Sequence, residues 1–123
     1  MRRRVWTLLI ASLIVAVTTP THALVLSYEQ LTVTNAAGGV RFTALKVRPN
    51  GPGNIPIATL VECNLETAQI RWTVDRNTVP TSTVGTLLEV GKYITIPGTD
   101  AIDNFRAIAT GSSGSLSCHF YSQ

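Results

Sequence analysis

The chain has 123 residues, 45% of them hydrophobic and 14% charged, with ten Lys and Arg against seven Asp and Glu. Three of the ten are Arg2, Arg3 and Arg4, and no acid precedes Ala23, so residues 24–123 carry seven charges of each sign and are neutral. A single domain is expected, and the pI of about 9.2 is a property of the extreme N-terminus, which removes the support for a basic nucleic-acid-binding surface.

The first predicted element is MRRRVWTLLIASLIVAVTTPTHA. Three arginines precede a mostly apolar run from Val5 to Val17, and Thr21 and Ala23 supply small residues on the near side of a cut after Ala23. This is the layout of a cleavable secretory signal over residues 1–23. The alternative is a membrane anchor. The thirteen residues of the run reach about 20 Å at ~1.5 Å each, short of the ~30 Å hydrocarbon core. The expected product is a secreted or periplasmic domain, residues 24–123, with no stable membrane insertion after processing.

Short alternating runs then recur between Gly, Pro, Asn and Asp. They predict strands at Leu31–Thr34, Val40–Val47, Ile57–Leu65, Gln69–Val74, Leu87–Glu89, Tyr93–Ile96, Phe105–Thr110 and Leu116–Tyr121. Many short strands at this spacing make an all-β sandwich or barrel. Residues 97–104 are the exception and predict one helical turn, with Thr99 or Asp100 as its N-cap. The segments 48–54 and 111–114 are rich in Gly, Pro, Asn and Ser and read as loops.

Strand parity separates core from surface. Val61, Cys63 and Leu65 share one face, as do Leu116, Cys118 and Phe120. Two cysteines in an oxidising compartment read as one disulfide, Cys63–Cys118; the alternative is a pair of buried thiols. Ile70, Trp72 and Val74 also share the inward parity, so Trp72 is expected in the core near the two sulfurs. The turn that follows Val74 is polar. Asp75 is suited to bonding the backbone N–H groups ahead of it, Asn77 tolerates positive φ, and Pro80 bars a helix.

The stretch IRWTVDRNTVPTSTVGTLLEVGKYITIPGTDAIDNFRAIAT (70–110) resembles the chitobiase C-terminal type of immunoglobulin-like repeat. Ile70, Asp75, Pro80, Thr81, Ile94, Ile96 and the run Arg106-Ala107-Ile108-Ala109 sit where that pattern places them. Trp72 stands in place of its usual Tyr, and Arg76 in place of the Gly after Asp75, which puts the turn type at issue. Residues 31–121 are also similar to small β-sandwich proteins of tailed phages and prophages. Leu65–Trp72, Thr83–Leu87 and Asn104–Ile108 carry that likeness; the signal segment and the cysteine pair depart from it. The resemblance implies an immunoglobulin-like β-sandwich and brings no catalytic residue.

His119 lies between Ser117 and Tyr121 on an outward face, about 7 Å from Ser117 along a strand, and reads as an exposed histidine rather than a base. Paired carboxylates for glycoside hydrolysis lack a cleft. Asp100, Asp103 and Asn104 are hard oxygen ligands for calcium, against a role in capping a helical turn; no zinc set and no cofactor are expected. Arg71, Tyr93 and Tyr121 are a candidate ligand face for a glycan, against ordinary cross-strand pairing. The expected function is therefore non-enzymatic: a structural or adhesive module, surface-associated or of virion-accessory type. A carbohydrate-binding module and a secreted inhibitor-like domain presenting loop 48–55 are the alternatives. Partners are a protein or glycan surface, or a second copy.

Overall fold

The computed structural model describes residues 23–122. The expected signal segment, apart from Ala23, lies outside the described residues. The elements run β1 (Leu24–Val33), α1 (Ala44–Val47), β2 (Leu60–Thr67), β3 (Ile70–Thr73), β4 (Thr86–Leu88), β5 (Tyr93–Pro97), α2 (Thr99–Asn104), β6 (Arg106–Ala109) and β7 (Gly114–Ser122). They form two antiparallel sheets, a four-stranded sheet in the order β1-β7-β2-β5 and a three-stranded sheet in the order β4-β3-β6. The fold is an all-β sandwich.

The core is filled by the inward residues of both sheets, among them Val61, Leu65, Leu116 and Phe120 from the larger and Ile70, Leu88 and Ala107 from the smaller. Aromatic rings link the layers. Phe42 stacks on Phe105 at 4.1 Å and meets the edge of Phe120 at 5.1 Å; Trp72 lies tilted 6.3 Å from Phe105. Trp72 is thus a core-facing residue of the smaller sheet, half-buried, with Phe105 as its ring partner. Its Nε1 is buried without a hydrogen-bond partner.

Cys63 and Cys118 form the expected disulfide, with an S–S distance of 2.02 Å. They are direct cross-strand partners in the β2–β7 register, and their Cα atoms stand 4.1 Å apart, the close spacing of a non-hydrogen-bonded antiparallel pair. This departs from an antibody domain, whose disulfide pins one sheet to the other. Here the bond staples two neighbours within one sheet.

The predicted strand Val40–Val47 does not form. Val40 makes an isolated bridge to Ala107, and the chain then turns into α1. The cause is Glu29, a buried residue in the β1 row opposite Cys118. Its carboxylate accepts from the Thr43 N–H (3.1 Å) and from the Thr43 hydroxyl (2.5 Å), holding the first turn of α1, a job usually given to a local cap. β1 itself begins at Leu24, seven residues earlier than Leu31, and β2 begins at Leu60 rather than Ile57. α2 falls inside 97–104 as expected, but its N-cap is Gly98, at φ 87° with no side-chain cap bond.

The polar turn after β3 is an Asx turn: Asp75 Oδ1 accepts from the N–H groups of Asn77 (2.9 Å) and Thr78 (2.6 Å). Among the described residues only Ala68 is a non-glycine with positive φ, so neither Arg76 nor Asn77 needs that conformation. Thr73 faces outward by parity yet is only 8% exposed. The 78–85 segment folds over it, with the Thr73 hydroxyl donating to Thr78 O at 3.0 Å. Gly85, at φ 110°, lies so close to the Trp72 carbonyl and Pro80 that a side chain there meets both.

Candidate functional site

The outer face of the four-stranded sheet gathers most of the uncommitted chemistry. Strand pairing places Tyr28, His119, Glu62 and Thr95 in one cross-sheet row and Gln30, Ser117, Asn64 and Tyr93 in the next. Side chains alternate faces along each strand, so Cys63 and Cys118 lie inward, between these two rows. Tyr28 on β1 and Tyr93 on β5 are three strand spacings apart across the sheet and two residues apart along it, about 16 Å. Between them is a shallow depression of about 410 Å³, floored by Glu62, Asn64, Glu66, Ser117 and His119.

A hydrogen-bond relay crosses it. Ser117 donates its only proton to Glu66 Oε1, so the Tyr28 hydroxyl is the donor in its 3.1 Å bond to Ser117. Gln30 Nε2 donates to Glu66 Oε2 (3.0 Å) and to Ser115 Oγ (3.1 Å). The Ser117 bond, aided by Gln30 and Ser115 against some burial, holds the Glu66 carboxyl below its ordinary range. Tyr121 sits beside Glu62; partial burial first, then the Glu62 charge and hydrogen bond, raise its hydroxyl. His119 is exposed, with its ring 5.1 Å from that of Tyr28. Ser117 gives its proton to Glu66, not to His119.

The anticipated face of Arg71, Tyr93 and Tyr121 is not assembled. Tyr93, 75% exposed, and Tyr121 belong to the four-stranded sheet, whereas Arg71 is on β3 in the other one. Its Nε donates to Ser82 O (3.1 Å) and its guanidinium to Gly85 O (2.8 Å). Arg71 therefore fastens the hairpin that covers the outer face of β3.

The calcium candidates are otherwise engaged. Asp103 accepts both ends of the Arg48 guanidinium, at 2.6 and 2.5 Å. Asp100 pairs with Arg76 at 2.5 Å, and the Asn104 side chain donates to Asp100 O at 2.7 Å. Among the described residues no three His, Cys, Asp or Glu are placed to share a metal. A larger hollow, about 610 Å³, lies between the 35–38 and 79–82 loops over β6, but no titratable side chain lines it. Loop 48–55 is tied internally by Asn50 to Ile55 O (2.9 Å) and Asn54 to Asn50 O (2.8 Å), leaving the Ile55 side chain 82% exposed. Among the described residues no helix is long and apolar enough to cross a membrane.

Sequence reasoning missed Tyr28, Glu66 and Ser117 as site members. Leu31 and Val33 alternate inward along β1, and continuing that parity back through Glu29 sets Tyr28 and Gln30 outward.

Three carboxylates are held below their ordinary range: Glu66 by Ser117, Asp75 chiefly by the Thr78 N–H, and Asp103 chiefly by Arg48. A lowered folded-state value means stability that is present above the unfolded-chain value of about 4 and lost as pH falls through the folded one. The melting temperature is therefore expected to be level from about pH 7 to 5 and to drop below about pH 4. Calorimetry across that range checks it, and a chain that melts higher at about pH 3 than at about pH 6 contradicts it.

No family model, curated protein or solved structure matches the chain.

Proposed function

We propose that the chain is a small exported adhesive module without catalytic chemistry, surface-associated or a virion-type accessory part. It works by presenting the outer face of its four-stranded sheet. The observation that carries this reading is the position of the disulfide. Cys63 and Cys118 are direct partners on the two central strands, and their sequence neighbours Glu62, Asn64, Ser117 and His119 are the floor of the surface depression. A covalent tie under these four side chains fixes their spacing before any partner arrives, which lowers the ordering cost of binding. Export is supported by the basic–apolar–small pattern of residues 1–23 and by cysteines that are paired.

The test is expression of the full chain through an export-competent host. The expected secreted product begins at Leu24, has a non-reduced mass two hydrogens below the reduced one, and is retained on isolated cell envelopes. Uncut protein with two titratable thiols, or a processed product that washes freely off every envelope preparation, overturns the reading.

The inhibitor-like alternative draws on one observation, the exposed Ile55 on an internally braced loop. Ile55→Asp abolishing retention, with Tyr93→Ala leaving it intact, moves the function to that loop.

A further inference from the structure

We infer that the depression between Tyr28 and Tyr93 binds a non-acidic glycan; this rests on the adhesive reading and names its ligand. The floor offers the carboxylates of Glu62 and Glu66; the Asn64 Oδ1 is buried, out of a ligand's reach. The nearest hydroxyl donors are already used: Tyr28 gives its proton to Ser117, and Ser117 gives its own to Glu66. Among the described residues the floor presents two carboxylates and no Lys or Arg, so a complementary ligand brings hydrogen-bond donors.

Charge narrows the class. Two carboxylates and no Lys or Arg line the depression among the described residues, and Glu66 is held in its ionised form by its hydrogen bonds. Sulfates, phosphates and sialic acids are repelled there. The remaining donor-rich ligands are polyols and ammonium groups. An ammonium is a compact point charge and is best held by a desolvated ring cage. Here the acceptors are spread over a shallow, open floor, with Tyr93 at one margin and the Tyr28–His119 pair at the other. A flat ring bearing several hydroxyls matches that spread: its hydroxyls meet Glu62 and Glu66, and its apolar face lies on the exposed Tyr93 ring. The span of about 16 Å between the tyrosines suits a short oligosaccharide better than one sugar.

The experiment applies the secreted, disulfide-bonded protein to an array of neutral, sialylated and sulfated oligosaccharides, with poly-lysine as a further probe, and titrates any positive by calorimetry. Binding to one or more neutral oligosaccharides is expected, with none to the sialylated or sulfated ones. Tyr93→Ala, a change to an exposed ring that leaves the core untouched, is expected to weaken binding about tenfold. Glu62→Gln, which removes charge and keeps shape, is expected to weaken it similarly, while Ile55→Ala leaves it unchanged. Binding confined to acidic glycans or to poly-lysine, a silent array, or neutral-glycan binding indifferent to both Tyr93→Ala and Glu62→Gln overturns the inference. Envelope retention that persists and is lost in Tyr93→Ala, with a silent array, removes the glycan and leaves the adhesive reading standing. A positive array with no envelope retention does the reverse.

Discussion

Replacing Cys63 and Cys118 together by alanine is expected to lower stability by about 4 kcal/mol, the loop-closure value for a bond spanning 55 residues. For a domain of this size that is a shift of roughly 20 °C in melting temperature and a large share of the ~5–15 kcal/mol that keeps such domains folded. The magnitude follows from which strands the bond joins. β7 is hydrogen-bonded to both β1 and β2, and it is the last strand in the chain. In the unfolded chain the bond brings that late segment next to β2, which removes one long-range closure before folding begins. Urea unfolding of the alanine pair and of the wild type, with and without reductant, measures this. A midpoint shift worth less than about 1 kcal/mol sinks the argument. A second readout separates stability from site geometry. Under conditions where the variant remains folded, amide exchange at Glu62, Asn64, Ser117 and His119 is expected to speed up, because these residues flank the lost bond on both strands.

The parts of this fold that were legible beforehand are those where local pattern and tertiary environment agree. The alternation in Val61-Glu62-Cys63-Asn64-Leu65 and in Leu116–Tyr121 placed both cysteines inward, and they are inward and bonded. The Asx turn at Asp75 needs only three consecutive residues, and it is there. What was not legible depends on distant partners. Val40–Val47 alternates like a strand, but the residue that bends it into α1 is Glu29, on another strand altogether. Arg71 points outward as parity requires, yet its guanidinium is consumed by the Ser82 and Gly85 carbonyls of a covering hairpin. The site suffered in the same way. Tyr93 faces outward by strand parity and does flank the depression, whereas the Tyr28–Ser117–Glu66 relay joins β1, β7 and β2, and no short window of sequence contains it. Asp100, Asp103 and Asn104 looked like a ligand set because clustered oxygens show in sequence, while the arginines that pair with the two carboxylates come from positions 48 and 76.

Phe105→Ala is expected to cost about 3–5 kcal/mol, the range for truncating a fully enclosed aromatic ring. Phe105 has no exposed surface. It follows α2 directly and stands between two other rings, stacked on Phe42 at 4.1 Å and tilted against Trp72 at 6.3 Å, while Phe42 in turn meets Phe120 of the four-stranded sheet. Removing the ring therefore strips both the transfer energy and the contact that couples the small sheet to the large one. Collapse of the surroundings offers little relief. Val40 is held to Ala107 by hydrogen bonds of 2.7 and 2.9 Å, and the adjoining Phe42 is buried between rings on two sides. Chemical denaturation of Phe105→Ala beside Tyr93→Ala makes the comparison internal. The exposed tyrosine is expected to change stability by no more than about 0.5 kcal/mol, so the two aromatic deletions differ several-fold for reasons of enclosure alone. A cycle with Phe42→Ala is expected to return a coupling of about 1 kcal/mol between the stacked rings. If Phe105→Ala costs no more than Tyr93→Ala, the aromatic link is not what holds the two sheets together.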